Sequence, residues 1–124
     1  MDDAHPLPSE TGPDVKPGWS EVVGQGAFDP AFHEAGELVG RRWTGAIVRA
    51  LFHGNVRFRE IADAVPGLSD RTLSARLKEL TAHGIVEGDP SGRGYRLTEK
   101  GRDLRLILIE LAKWAHRWRD APGG

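Results

Sequence analysis

A basic helix that leads through a glycine stop into a short hairpin is the feature that most restricts the fold of this chain. Residues 69–83 place three leucines in one narrow stripe at the 100° spacing of an α-helix. The three are Leu73, Leu77 and Leu80. Ser69 is a favourable N-cap, and Asp70 lies in the first turn, where the helix dipole favours negative charge. The opposite face is cationic, hydroxyl-bearing and small, which suits contact with phosphates and base edges. An ordinary amphipathic helix with a solvated face is the alternative.

The residues after this helix are predicted to form a wing. Gly84 suits the left-handed position that follows a helix. Residues 85–87 and 95–97 indicate two short strands, and residues 88–94 between them are rich in turn formers. A capped helix followed directly by a hairpin is typical of a winged helix-turn-helix. Arg93 lies between two glycines at the tip, so it can approach a phosphate backbone or a minor groove. A solubilising turn residue is the alternative.

The upstream segment supplies the rest of such a module. Residues 43–52 form a mostly apolar helical pattern, and residues 58–65 form a shorter one that stops before a Pro-Gly pair. This short helix, a tight turn and the helix over 69–83 make a helix-turn-helix. We expect the apolar positions, Trp43 and Phe58 included, to be core. The fold class is therefore mainly α with a small β-hairpin, a winged helix-turn-helix with flanking dimerisation helices.

At this point the chain resembles a known family. Five segments in order look like the HxlR-type winged-helix transcriptional regulators of bacteria, and the match covers residues 32–118. The segments are 37–43, 57–61, 66–69, 72–80 and 95–101. MarR- and PadR-type regulators share the ending at 97–101, so the ordered set carries the identification. The resemblance implies a homodimer that binds double-stranded operator DNA and controls a nearby gene.

The predicted DNA contacts lie on the helix, the wing and the start of the short helix. We expect the recognition helix, about residues 69–83, in the major groove, and the wing, about residues 85–97, on the backbone or in the minor groove. The DNA-binding set is Arg57, Ser69, Arg71, Thr72, Ser74, Ala75, Arg76, Lys78 and Arg93.

The chain departs from the family pattern in two places. Many relatives carry a cysteine shortly before the first helix, and that position falls near residues 29–30 here. None of the 124 residues is a cysteine. Thiol sensing by these residues is excluded, because no other side chain cycles between thiolate and disulfide. The hairpin is also shorter than is usual in the family, so we expect the wing to reach less far along the DNA.

The last helix is predicted to be capped by Thr98 and to continue to about Trp118. Its apolar residues cover far more than the single stripe that a surface helix needs. A two-fold dimer accounts for the excess, since reading two half-sites needs recognition helices about 34–36 Å apart. The alternative is that the helix at 32–39 covers it within the same chain. The dimerisation set is Phe32, Leu104, Ile107, Leu108, Leu111, Trp114, Ala115 and Trp118.

The formal net charge of −1 hides a strong asymmetry. Residues 1–40 hold eight acidic residues and one basic residue, a charge of −7, whereas residues 41–124 hold sixteen basic and ten acidic residues, a charge of +6. Such asymmetry is a clue to nucleic-acid binding. Proline and acidic residues predict a disordered leader over 1–27. Residues 28–120 are predicted to form one DNA-binding and dimerisation domain.

The sequence argues against catalysis. Gly24-Gln25-Gly26 lacks the third glycine of a dinucleotide loop, no Walker-type loop occurs, and the five histidines are scattered. We therefore expect no enzyme activity, no metal and no cofactor. No stretch is long enough to cross a membrane and the acidic start has the wrong charge for a signal peptide, which predicts a cytoplasmic protein without a membrane partner.

A winged-helix module that contacts only proteins is the alternative function. Such a surface would carry aromatic or aliphatic anchors on the recognition helix, and this one carries cations and small residues. Whether a small-molecule effector binds is left open. Leu111, Trp114 and Trp118 could line a pocket near a dimer interface, but aromatic residues at helical spacing are more often core.

Overall fold

The computed structural model describes residues 27–120, which divide between Leu38 and Val39 into two units. Helix α1 (Pro30–Gly40) makes up most of the described residues of the first unit and ends in the second. The Asp29 carboxylate accepts a hydrogen bond from the Ala31 N–H at 3.0 Å and so stabilises the start of α1. The predicted leader, residues 1–27, lies outside the described residues except for its last residue. A single domain over residues 28–120 stays a prediction.

The described part of the second unit contains, besides the end of α1, four helices and a two-stranded antiparallel sheet. The elements are α2 (Thr44–Phe52), α3 (Phe58–Ala64), α4 (Asp70–Ala82), β1 (Val86–Gly88), β2 (Tyr95–Leu97) and α5 (Glu99–Arg119). Val86 pairs with Leu97 and Gly88 pairs with Tyr95 in the hairpin. The predicted fold class, mainly α with a small hairpin in a winged helix-turn-helix, is confirmed. The first strand begins one residue later than predicted.

The core of this unit is built from one apolar side of each element. Helix α2 packs against α3, α5 and β2, and α4 packs against β1. The predicted leucine stripe of α4 is buried, and the hairpin contributes Ile85 and Val86. Burial of aliphatic side chains against several elements is what stabilises a small domain. The buried apolar set is Ile47, Val48, Ala50, Leu51, Ile61, Val65, Leu68, Leu73, Leu77, Leu80, Ile85, Val86, Leu97 and Leu104.

Trp43 and Phe58 differ from the expectation that both are core. Both are half-buried. Trp43 lies just before α2, with a left-handed φ of 79°, so it does not share the helical stripe of the residues that follow. Its ring lies beside Gly67, in the turn between α3 and α4, and under the Arg42 guanidinium at 4.7 Å. Trp43 therefore covers the edge of the core.

The hairpin and α5 are tied to the core by backbone contacts. The Val56 carbonyl accepts from the Tyr95 N–H at 2.8 Å, and the Ile85 carbonyl accepts from the Thr98 N–H at 3.0 Å. The Thr98 hydroxyl accepts from the Gly101 N–H at 3.0 Å, which confirms the predicted cap of α5. These bonds hold the wing beside the segment before α3.

Candidate nucleic-acid interface

Helix α4 is held at its first turn by side-chain contacts. The Ser69 hydroxyl accepts from the Thr72 N–H at 3.1 Å and lies 3.0 Å from the Thr72 hydroxyl. Asp70, in the first turn, lies 2.6 Å from the Arg59 guanidinium. The predicted N-cap is confirmed. The hydroxyls of Ser69 and Thr72 are thus engaged with each other before any ligand is bound.

The outer face of α4, defined as Arg71, Ser74, Ala75 and Lys78, is exposed to solvent. These residues stand at i, i+3, i+4 and i+7, so they form one stripe along the helix. Within residues 27–120, neither cation of this face has a hydrogen bond or ion pair. The two cations flank two small side chains. The small side chains let the helix approach a DNA groove closely, and the cations on either side can contact phosphates.

Arg76 was predicted to contact DNA together with the outer face of α4, but its side chain contacts other residues of the protein. It is half-buried, its Nε donates to the Arg42 carbonyl at 3.3 Å, and its Nη1 lies 3.4 Å from Glu79. Arg41 lies 2.8 Å from the same carboxylate. The hydrogen bond from Arg41, with Arg76 close by, holds the pKa of Glu79 below its usual range. Arg76 therefore anchors α4 to the segment before α2, and its predicted contact with DNA stays a prediction.

Two arginines flank the start of α3. Arg57 is exposed and precedes the helix, where the Glu60 carboxylate accepts from the Val56 and Arg57 N–H groups at 3.0 Å each. These backbone bonds lower the pKa of Glu60. Arg59 is also exposed, and sequence reasoning missed it as the partner of Asp70. The pair spans eleven residues, so no local spacing rule could have found it.

The tip of the wing is a tight, internally bonded turn. Asp89 accepts hydrogen bonds from the Ser91 hydroxyl and from the Ser91 N–H, the latter at 3.0 Å, and these bonds lower the pKa of Asp89. Arg96 lies 2.7 Å from Glu87 across the two strands. Arg93 is exposed and has no hydrogen bond or ion pair within the described part of the chain. Arg93 is therefore the cation of the hairpin that is available to a phosphate.

The predicted dimerisation residues on α5 differ in their burial. Leu104 is buried in the core of its own unit, so its predicted role in dimerisation gives way to a core role. Leu108 is half-buried, and Ala115 is exposed. The other predicted residues are exposed, including Phe32 on α1. Four of them, here called the α5 seam, share one face of the helix. The α5 seam is Ile107, Leu111, Trp114 and Trp118.

Within residues 27–120, no three His, Asp or Glu side chains converge as the ligands of a metal would. None of the helices in this range has the length and apolar character needed to cross a membrane.

Comparison with known proteins places this geometry among transcription factors. The HTH-type transcriptional regulator YvaP of Bacillus subtilis is 43% identical over 103 residues, which cover 79% of this chain and 95% of that protein. The crystal structure of quinone-bound YodB from B. subtilis aligns with a TM-score of 0.65 at 39% identity, covering 73% of this chain and 99% of that one. The redox regulator HypR in its reduced form aligns with a TM-score of 0.67 at 28% identity, covering 75% and 97%.

The family match covers the helix-turn-helix and the wing together. Residues 38–122 match the HxlR-like helix-turn-helix family. This range contains α2 to α5 and both strands, so it includes the outer face of α4 and the tip at Arg93. The resemblance inferred from the ordered motifs is confirmed. The chain therefore belongs to the HxlR-like helix-turn-helix family, and it is a DNA-binding transcriptional regulator.

Proposed function

We propose that this regulator binds its operator as a homodimer, with the outer face of α4 in the major groove and the wing tip on the backbone or in the adjacent minor groove. The observation that carries the proposal is the outer face itself. It joins two cations, which form no ion pair within residues 27–120, to two small side chains in one exposed stripe, directly after a capped helix start.

Each residue of the outer face has a role that its chemistry supports. Arg71 can form the bidentate contact that arginine makes with guanine, and Lys78 can contact a phosphate as a point charge. Ala75 can meet a thymine methyl group, and Ser74 can bond to a base or a phosphate. Thr72 is half-buried and shares its hydroxyl with Ser69. We therefore assign Ser69 and Thr72 to stabilising the start of α4 rather than to contacting bases.

The wing and the start of α3 supply the sequence-independent part of binding. Arg93 and Arg57 are exposed, and neither forms an ion pair within residues 27–120. Cations on both sides of a recognition helix neutralise phosphates, which releases counterions and fixes the register of the protein on the duplex. We assign both arginines to the phosphate backbone, or Arg93 to the minor groove.

The α5 seam supports the dimer. Its four large apolar residues are exposed and recur at i, i+4, i+7 and i+11, a pattern typical of paired helices. Helix α5 has 21 residues, about 31 Å, so a two-fold pairing of two copies gives each seam an identical partner. Phe32, exposed on α1, is the further apolar residue that we assign to this contact.

Two features favour DNA over the alternative of a purely protein-binding module. The outer face of α4 carries no aromatic or large aliphatic side chain, which are the anchors of most protein interfaces. The relatives are transcriptional regulators. A regulator of chromosomal operators works in the cytoplasm of a bacterial cell, which is the compartment we propose.

The test compares Arg71→Ala with Arg119→Ala, an exposed arginine near the end of α5. An operator is first selected from random duplex DNA, and binding is then measured by fluorescence anisotropy. Loss of a bidentate base contact should weaken specific binding by about 1–3 kcal/mol, roughly fivefold to over a hundredfold in Kd. Arg119→Ala should bind like the wild type. Equal affinities for Arg71→Ala, Lys78→Ala and the control would remove the outer face of α4 from DNA recognition.

A further inference from the structure

A groove with a volume of about 950 Å³ lies between α2 and α5. Its walls include Phe52, Leu108 and Ala112, which make it largely apolar. Its charged residues all carry one sign, since none of the residues that line the groove is Asp or Glu. They are Arg49, Arg105, Lys113 and Arg117, with His53 and His116 beside them. The groove therefore combines apolar walls with positive charge.

Arg105 is the most unusual of these cations. Its guanidinium carbon lies 4.0 Å from the centroid of the Phe52 ring. Its Nε is buried, and within the described part of the chain this nitrogen has no hydrogen-bond acceptor. A ligand cannot reach the buried Nε, but the two terminal nitrogens of this guanidinium are not buried and form no hydrogen bond within residues 27–120. A carboxylate that accepts from a guanidinium makes one of the strong hydrogen bonds in proteins.

The described residues neutralise the positive charge of the groove only in part. Lys113 lies 3.3 Å from Glu110 on the same helix. Arg49, Arg105 and Arg117 form no ion pair within residues 27–120. Phe52 is 48% exposed, so part of this side chain remains open to a ligand. A ligand that matches this lining needs an apolar body and one negative group.

We propose that the groove between α2 and α5 binds a small organic anion, with a carboxylate at Arg105 and a one- or two-ring apolar body against Phe52 and Leu108. The volume is that of an ordinary small-molecule site. The proposal goes beyond operator binding, because it uses neither the outer face of α4 nor Arg93. Leu108, Leu111 and Ala115 of the predicted dimerisation set line the groove, and of these Leu111 also belongs to the α5 seam. Because α2 also packs against α3 and β2, such a ligand contacts the helix on which the DNA-binding elements rest.

The experiment titrates the full chain, without DNA, with 2-naphthoate and with its neutral isostere 2-naphthamide in a calorimeter. We expect naphthoate to bind at least tenfold more tightly, because a charge-assisted hydrogen bond contributes about one order of magnitude or more. Arg105→Gln should weaken naphthoate binding by a similar factor. Arg119→Gln, on the same helix but outside the lining of this groove, should leave it unchanged.

A second variant keeps the test decisive if Arg105→Gln impairs folding. Arg49 is exposed on α2, and Arg49→Gln should also lower the affinity for naphthoate while the protomer stays folded by circular dichroism. Amide shifts in an NMR titration should be largest at Phe52, Leu108 and Ala112.

Three results would overturn the proposal: equal binding of naphthoate and naphthamide, unchanged affinity in both variants, or tighter binding of a Glu-Leu peptide than of naphthoate. The last would assign the groove to a protein segment. Because the readout contains no DNA, each of these results leaves operator binding by α4 untouched.

Discussion

At the scale of single residues, two glycines allow the wing and α5 to pack closely against the core. Gly94 has a φ of 122°, and a Cβ atom there would overlap the Val56 carbonyl. A Cβ atom at Gly101 would overlap the Ile85 carbonyl oxygen. Both close approaches accompany backbone hydrogen bonds, from Tyr95 to Val56 and from Thr98 to Ile85. The glycine that ends the segment 97–101 is therefore required by packing in this structure.

Gly101→Ala should destabilise the protein by about 1–3 kcal/mol, the usual cost of an added methyl group in a tightly packed site. Gly45→Ala is the matched control, because Gly45 also lies in the first turn of a helix and nothing is within 4 Å of its added Cβ. That change should be neutral or stabilise by up to about 1 kcal/mol, since alanine favours the helix. Urea unfolding measures both. Equal midpoints for the two variants would contradict the assigned contact.

Glu79 gives the stability a dependence on pH. Because its pKa in the folded state is lowered by Arg41, the folded protein favours the carboxylate more than the unfolded chain does. The resulting stabilisation is complete above the ordinary value of 4.5 and is lost as the pH falls through the lower folded pKa.

We expect the free energy of unfolding of Glu79→Gln to fall less steeply than that of the wild type between pH 6 and pH values below 4.5. Arg41→Gln should flatten the same acid limb, since it removes the first cause of the shift. Denaturant titrations across this range provide the measurement. Parallel curves of unfolding free energy against pH for all three proteins would show that the Arg41–Glu79 pair does not contribute to the pH dependence.

At the scale of elements, α4 is defined at both ends. Ser69 caps its first turn, and the chain turns at Gly84 with a φ of 72°. The Lys100 ammonium donates to the His83 carbonyl at 2.8 Å, which satisfies a free acceptor at the helix end. Helix α4 is therefore joined at its end to α5, and the hairpin lies between the two in sequence.

Arg93→Ala should reduce the salt dependence of operator binding. Each phosphate contact contributes about 0.9 to the slope of log K against log salt, so the slope should become shallower by about 1 per wing. Arg96→Ala is the control within the same hairpin, because Arg96 is already paired with Glu87, and its slope should change less. Anisotropy titrations at several salt concentrations give the slopes. An unaltered slope for Arg93→Ala would mean that the short wing does not reach the duplex.

At the scale of the whole molecule, α5 has one face that packs on the core and another that is exposed. Leu104 and Leu108 face the rest of their own unit, and the α5 seam faces solvent. Trp114 alone is 58% exposed, which is unusual for so large an apolar side chain. Pairing of two seams would remove this surface from water and fix the spacing of two recognition helices.

We expect Ile107→Glu and Trp114→Glu each to convert the proposed dimer to a monomer, because a charge would enter an apolar contact without a partner. Leu106→Glu is the matched control, since Leu106 is 53% exposed but lies away from the seam. Analytical ultracentrifugation at low micromolar concentration measures the state, and circular dichroism checks the fold. We expect the two seam variants to lose binding to paired half-sites more than to one half-site. Dimers in both variants would place the interface elsewhere.

The sequence by itself determined those features that depend on neighbours along the chain. The limits and caps of α4, its buried leucine stripe, the two strands and the Thr98 cap all follow from residues within a few positions of one another. Helical periodicity also identified which side chains share the outer face of α4, because residues three and four apart lie on one side of a helix. The order of these local motifs sufficed to identify the family.

Only the tertiary structure decided which member of a pattern is free to act. Arg71 and Arg76 look alike in sequence, yet Arg76 is held by the Arg42 carbonyl, 34 residues away. Leu104 and Ile107 both belong to the apolar part of α5, but packing against the core buries only Leu104. The groove that joins Phe52 to Arg105 likewise depends on two helices meeting. Such partners come from distant segments, and their approach is determined by packing of the whole core rather than by local spacing.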